Sequence, residues 1–231
     1  MKKVAIFLTA LLFMVIMAGC SSGKENTVPN NSGNSGKPLK SSNESSEGVQ
    51  KVDKDLLDYF LADGSKAHFR GEGQNFSELD VQFAMPYENY VIVHESNGQA
   101  IVQYVYQIGE KQITTLSYDL VDSTTDFPTL DEIKKMEPVG VYLHKPFEKG
   151  QIFGQWEIVE TDVPVETYFK KFDNAFVLQS TEPIIGAENK AYIVRKYFVE
   201  GFGEVKRESI MKTTDGERLV MTSTLESVSQ P

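Results

Sequence analysis

Residues 89–109 read NYVIVHESNGQAIVQYVYQIG, with apolar residues at every second position on both sides of an Asn-Gly pair. Successive side chains of a strand point to opposite faces, so this stretch buries one row of side chains only by folding back on itself as a hairpin. Asn97-Gly98 supplies the two positive φ angles of a type I′ turn. Counting outward from it sets Val93 opposite Val102 and Val91 opposite Tyr104. The same alternation recurs upstream. In KAHFR, Ala67 and Phe69 alternate with Lys66, His68 and Arg70. In ELDVQFAM, Leu79, Val81 and Phe83 alternate with Glu78, Asp80 and Gln82. Paired across residues 71–77, these two strands share one apolar face and match basic against acidic residues on the other.

Downstream, KQITTLSYDL continues the meander. After it QWEIVET, NAFVLQS, AYIVRKYFVEG, GEVKRESIMKT and RLVMTSTLES read as strands between turn formers, among them Asp215-Gly216, a second type I′ candidate. Two short helices interrupt the pattern. DKDLLDYFLADG places Leu56, Leu57 and Phe60 on one helical face with Gly64 as its stop, and FPTLDEIKKME has the capping-box spacing Thr129 to Glu132 with Pro138 ending it. The expected body, residues 51–231, is therefore one mainly β domain of about ten strands and two short helices. So many strands must curl, close or split into layers, and the expected form is a large curved antiparallel sheet, half-barrel or barrel-like.

The first 50 residues are of another kind. Lys2 and Lys3 precede an apolar run from Val4 to Ala18, too short for the roughly 20 residues that span a bilayer as a helix and well suited to a removable export signal. The one cysteine of the chain, Cys20, follows directly. Met17-Ala18-Gly19-Cys20 resembles the lipobox of bacterial lipoproteins. The resemblance implies cleavage between Gly19 and Cys20 of a 1–19 signal peptide, a diacylglyceryl group on the Cys20 thiol, and attachment to a lipid bilayer through that acylated residue. Residues 21–50, dominated by Ser, Asn, Gly and Lys and without aromatics, cannot bury enough apolar surface to offset ordering and read as a disordered tether. Its root-mean-square span is roughly 30 Å. A lysine-rich leader with such a spacer is of Gram-positive style. The expected location is the outer face of the bacterial cell membrane.

A second resemblance lies in PFEKGQIFGQWEI, ETYFKKFDNAFVL and RKYFVEGFGEVKRE, between Pro146 and Glu208. These segments are similar to the second half of a widespread class of bacterial envelope lipoproteins without assigned activity. The likeness implies a strongly curved sheet wrapped around a helix or an apolar groove, related in shape to periplasmic lipoprotein carriers. Glu204, after GFG, stands where an apolar residue is more usual.

Chemistry is harder to find. The net charge is −10, and since the first 50 residues carry +2, the body holds −12; such a surface repels phosphate backbones, and nucleic acid is not an expected partner. His68, His94 and His144 lie in separate segments without metal-ligand spacing, and His68 is expected on a solvated face beside Asp80. Ser117, Ser180 and Ser209 are outside any G-x-S-x-G elbow. Asp119, Asp122 and Asp126 lack the rest of a calcium loop and read as turn formers. GEGQ and GFG read as turns. The Phe, Tyr and Trp156 of the body are expected mostly in the core, with an apolar groove as the functional alternative. No catalytic, cofactor or metal site is therefore expected. The favoured function is a non-enzymatic, membrane-anchored module that binds an envelope lipid, peptide or protein. The alternative is a carboxylate-dependent hydrolase of cell-wall material.

Overall fold

The computed structural model describes residues 54–73, 77–183, 191–212 and 218–231. Cys20, the signal peptide, the tether and Asp215-Gly216 lie outside them. Twelve strands form one antiparallel sheet. In chain order they are β1 (Lys66–Glu72), β2 (Leu79–Tyr87), β3 (Tyr90–Ser96), β4 (Ile101–Ile108), β5 (Gln112–Val121), β6 (Gly140–His144), β7 (Ile152–Phe153), β8 (Trp156–Glu166), β9 (Lys171–Pro183), β10 (Ala191–Val199), β11 (Gly203–Lys212) and β12 (Arg218–Ser229). Their order across the sheet is β6-β5-β4-β3-β2-β1-β12-β11-β10-β9-β8-β7. Two meanders thus run in opposite directions from a shared β1–β12 pair, and the two edge strands, β6 and β7, are consecutive in the chain. The sheet curls into a nearly closed barrel. The curved, mainly β architecture expected from the sequence is the one observed. The strand count is larger than expected because GVYLH and the two-residue β7 carry too little alternation to be read as strands.

Register follows the apolar pattern. Lys66 faces Gln82, Ala67 faces Val81, His68 faces Asp80 and Phe69 faces Leu79, so the first hairpin pairs as its alternation requires. In the second, Val93 faces Tyr104 and Val91 faces Tyr106, two residues from the expected alignment. The cause is the turn. The Asn97 side chain accepts hydrogen bonds from the Gln99 and Ala100 amides (3.1 and 2.9 Å), and the Asn97 N–H donates to the Ala100 carbonyl. This shifts the centre to Gly98-Gln99, with Gly98 at φ 80°, the II′ pattern in which glycine comes first. A shift of two preserves the face of every side chain, so the core is unaffected.

Two cores result. The inner one gathers Ala67, Phe69, Leu79, Val81, Val91, Val93, Tyr106, Ile108, Ile158, Phe172, Phe176, Leu178, Phe198 and Leu225 from strands around the sheet. A smaller outer one, Ile92, Val105, Leu116 and Ile133, lies beneath α2 (Leu130–Ile133). That helix starts at a complete capping box: the Glu132 N–H donates to the Thr129 hydroxyl and the Thr129 N–H to the Glu132 carboxylate. The carboxyl of Glu132 is held below its usual range by those Thr129 bonds.

The opening helix departs from expectation. Only α1 (Lys54–Leu57) is helical. Leu56, Tyr59, Phe60 and Leu61 are all buried, and three consecutive buried residues cannot share one helical stripe. The chain therefore leaves the helix after Leu57 and lodges in one end of the barrel. There the Tyr59 ring meets Phe147 and Phe176, with centroids 4.9 and 5.6 Å apart, and Phe60 meets Tyr106 and Tyr142 at 5.3 and 5.7 Å. Burial, with Glu200 and Asp58 nearby, pushes the Tyr59 hydroxyl up to about 12. No helix among the described residues is long and apolar enough to cross a membrane.

This plug relies on a close backbone approach. Gly203 has φ 76°, and a Cβ there would stand 2.4 Å from the Tyr59 carbonyl oxygen. Gly201, at φ 82°, has open space around it. Gly201→Ala is expected to lower stability by about 1 kcal/mol from backbone strain alone, and Gly203→Ala by roughly 3 kcal/mol, since strain and a backbone clash add. Urea denaturation of the two variants checks this; equal losses would remove the close approach as the cause.

Candidate functional site

Alternation carries charge as well as apolar side chains into the barrel. Val91 and Val93 of β3 face inward, and so does the next residue of that parity, Glu95. On β10 the parity of Phe198 puts Lys196 inside, opposite Arg207 of β11. Glu204 joins them through an irregularity: Tyr197 pairs with Lys206 but Phe198 pairs with Glu204, so β11 has one extra residue at Val205. A bulge of this kind lets residues three apart share a face.

The resulting cluster spans the interior. Arg207 makes a two-pronged contact with Glu95 (Nη1 to Oε1 2.9 Å, Nη2 to Oε2 2.7 Å), 112 residues away in the chain. Its Nε donates to Glu204 Oε1 at 2.6 Å and Nη2 to Oε2 at 3.2 Å. Lys196 Nζ lies 3.1 Å from Glu204 Oε2, and 5.5 and 5.9 Å from the ring centres of Trp156 and Tyr142. These four side chains are only 12–22% exposed. Two carboxylates and two cations cancel, which is the condition for leaving charge out of water. Beneath them lie tyrosines: Tyr104 is stacked on Tyr106 at 5.9 Å, and Tyr142 meets Tyr106 at a tilt, 4.6 Å away.

Burial alone would raise the Glu204 carboxyl, but Arg207 and then Lys196 outweigh it and hold the group at about 2. Burial pulls the Lys196 amine down against the pull of Glu204. Arg207 is driven well above its ordinary value despite burial, because Glu204 and Glu95 surround it. The Tyr104, Tyr106 and Tyr142 hydroxyls are all pushed up, chiefly by burial. The cluster keeps Glu204 ionised at neutral pH, where a general acid must hold its proton. It is well made as a neutral tie between distant strands.

Beyond the tie, toward the β3–β4 turn, the inner face is less filled. Glu95 pairs with Val102, Val102 with Leu120 and Tyr104 with Tyr118, so all these share the inner face. Tyr118 and Leu120 are 53% and 66% exposed. The interior is thus packed with rings at the α1 end and presents an exposed apolar rim above a charged, electrically neutral floor at the other.

The residues weighed from sequence lie apart from this cluster. His68 does sit on the charged outer face, its Nδ1 2.8 Å from Asp80 Oδ1, with Glu226 at 3.5 Å. His94 faces outward, 2.8 Å from the Gln103 amide and against Phe127 at 5.2 Å, and burial lowers its pKa. His144 contacts the Gln151 amide at 2.9 Å. Ser117, Ser180 and Ser209 lie on β5, β9 and β11. Asp122 is a turn former, accepting from the Thr124 N–H and hydroxyl at 2.8 and 2.6 Å. Among the described residues no group of three His, Cys, Asp or Glu is placed to hold a metal ion. Most of the described aromatics are in or against the core, with Tyr118, Phe127, Tyr168 and Phe169 exposed. Glu95, Lys196 and Arg207 were not singled out from sequence; the usable signal was a charge at an inward position within an apolar alternation.

Glu204 has a folded pKa near 2 against 4.5 as the ordinary value. The unfolded chain therefore binds the proton more tightly, so the stability this group contributes is complete above about pH 4.5 and is lost as pH falls toward 2. Glu204→Gln is expected to cost roughly 3 kcal/mol at pH 7, by leaving Arg207 and Lys196 short of a buried partner, and to flatten the decline of stability across that acid window. Denaturant melts of parent and variant at pH 7, 4 and 3 test both; parallel pH curves would show that Glu204 does not set the acid limb.

No protein-family model matches the chain, and no curated protein is similar to it. Two solved structures resemble it. One is a Bacteroides fragilis protein with a YmcC-like fold, provisionally described as exported, at 13% identity and a TM-score of 0.49. The other is a Parabacteroides distasonis protein, provisionally described as a lipoprotein, at 12% identity and a TM-score of 0.47. Each likeness covers 74% of this chain and 98% of the other.

Proposed function

We propose that the protein is a lipoprotein held on the outer face of the bacterial cell membrane by an acylated Cys20, where its β body serves as a non-enzymatic binding module for an envelope component. The observation that carries the location is Met17-Ala18-Gly19-Cys20 directly after an apolar run, with no second cysteine in the chain. Two acyl chains, each methylene contributing about 0.8 kcal/mol, hold a protein stably where one holds it reversibly. The Gram-positive host rests on the composition of leader and tether.

The binding role draws support from the interior. Its inward carboxylates, Glu95 and Glu204, are both engaged by Arg207, which leaves them unsuited to the acid and base roles of a wall hydrolase. The exposed inner rim around Tyr118 and Leu120 is the surface on which an envelope lipid, peptide or protein segment finds apolar contact.

Cells grown with radiolabelled palmitate should yield a labelled product that partitions with membranes. Cys20→Ala should take up no label and leave the membrane fraction on mild washing. An unlabelled parent, or a variant that stays equally membrane-bound, would refute the anchor. Native mass spectrometry of the purified chain addresses the binding role by looking for a co-purifying small molecule or peptide.

A further inference from the structure

The turn between β8 and β9 is stiff. The Thr167 N–H and hydroxyl both donate to the Lys170 carbonyl, at 3.1 and 2.7 Å, and the Lys170 N–H donates back to the hydroxyl at 3.1 Å. The turn holds out Phe169, 41% exposed, with Lys170 and Lys171 exposed beside it. Phe169 lies 5.9 Å from Phe202 of the β10–β11 turn, and Phe202 lies 5.0 Å from Phe172. The Lys170 ammonium rests over these rings, 4.1 Å from the centre of Phe202 and 4.8 Å from that of Phe172. Rings at the surface with lysine stems laid across them are the equipment of a protein face at a lipid–water boundary. Tyr168 is turned elsewhere: its hydroxyl donates to the Glu72 carboxylate and Arg70 covers its ring at 4.6 Å.

The position of this face matters. The Gly201 N–H donates to the Asp58 carbonyl at 2.7 Å, so the β10–β11 turn touches the α1 segment. Asp58 is four residues from Lys54, where the described chain begins, about 6 Å of helical rise. The 53 residues before Lys54 contain Cys20. The chain leading from the acylated cysteine therefore reaches the body on the side that carries the aromatic turns.

We infer that this end of the body rests on the bilayer, with Phe169 and Phe202 at headgroup depth and Lys170 and Lys171 among the phosphates. The inference rests on the Cys20 anchor. Exposed Asp58 and Glu200, with Glu166 opposite Lys171, offset the two lysines locally, so the rings make the contact and it forms on zwitterionic lipid. A contact this small is weak for a free protein. Anchoring through Cys20, 34 residues before Lys54 in the chain, keeps the face at an effective concentration of about millimolar, at which weak contacts are populated.

The single native cysteine makes the test clean, because an acylated Cys20 takes no thiol reagent. The full processed chain is reconstituted in phosphatidylcholine liposomes as Phe169→Cys, as Lys171→Cys, which spares the rings, and as Gln99→Cys in the β3–β4 turn. A thiol-linked spin label on each reports exposure to a water-soluble relaxing agent. Labels at 169 and 171 should be shielded several-fold relative to the label at 99, and the shielding should persist in high salt. If the parent chain itself takes the label, the anchor fails and this inference with it. If the parent stays blank but 169 and 171 are as exposed as 99, or 99 is the shielded one, the anchor stands and the membrane-facing end is overturned.

Discussion

Arg207 joins parts of the protein that nothing else joins in the same way. Among the described residues the two meanders pair with each other at β1 and β12, and the curvature of the sheet brings β3 and β11 to face each other across the interior without backbone pairing. Arg207 bridges that space with four charge-assisted hydrogen bonds, two to Glu95 and two to Glu204, and a planar guanidinium between two carboxylates fixes orientation as well as distance. Below the bridge the curvature is filled by rings, and above it the rim is exposed.

The closed end has a different physical origin. The chain folds its own α1 segment inward, and Leu56, Tyr59, Phe60 and Leu61 supply the volume that twelve curled strands leave at that end. The backbone of Gly203 lies against the Tyr59 carbonyl because no side chain intervenes. The segment that fills the barrel is continuous in sequence with the residues that lead to Cys20.

The β class, the two hairpins and the capping box of α2 were legible because each depends on local pattern: period-two alternation, an Asn-Gly pair, and a threonine three residues before a glutamate. Register in the second hairpin was legible only to within two residues, because the Asn97 side chain captures the amides that a tighter turn would leave free. The brevity of α1 was not legible. Leu56, Leu57 and Phe60 mark a stripe, whereas burial of Tyr59 and Leu61 on its flanks depends on a barrel whose strands extend as far as Ser229. The interior cluster was half legible. Glu204 stood out as a charge where an apolar residue is more usual, but the other carboxylate on Arg207, Glu95, is 112 residues from that arginine in sequence, and the spacing of Glu204 to Arg207 becomes meaningful only once Val205 is known to be the extra residue.

That extra residue shows why the charges and the strand geometry depend on each other. In a regular strand Glu204 and Arg207, three apart, would face opposite sides, and one of them would leave the cluster. With the bulge they share the inner face and bond at 2.6 Å. A one-residue slip of β11 would turn Arg207 outward and break its hydrogen bonds to Glu95 and Glu204, a larger penalty than any single strand-pair contact repays. Buried ion pairs contribute little net stability against an apolar filling of equal volume. Their contribution here is selectivity, because a purely apolar interior would tolerate neighbouring registers of β10 and β11 that this cluster excludes. The exposed rim carries Tyr118 and Leu120 on β5, beside β4 and β3, so its position relative to β11 is fixed by the contact between Glu95 and Arg207.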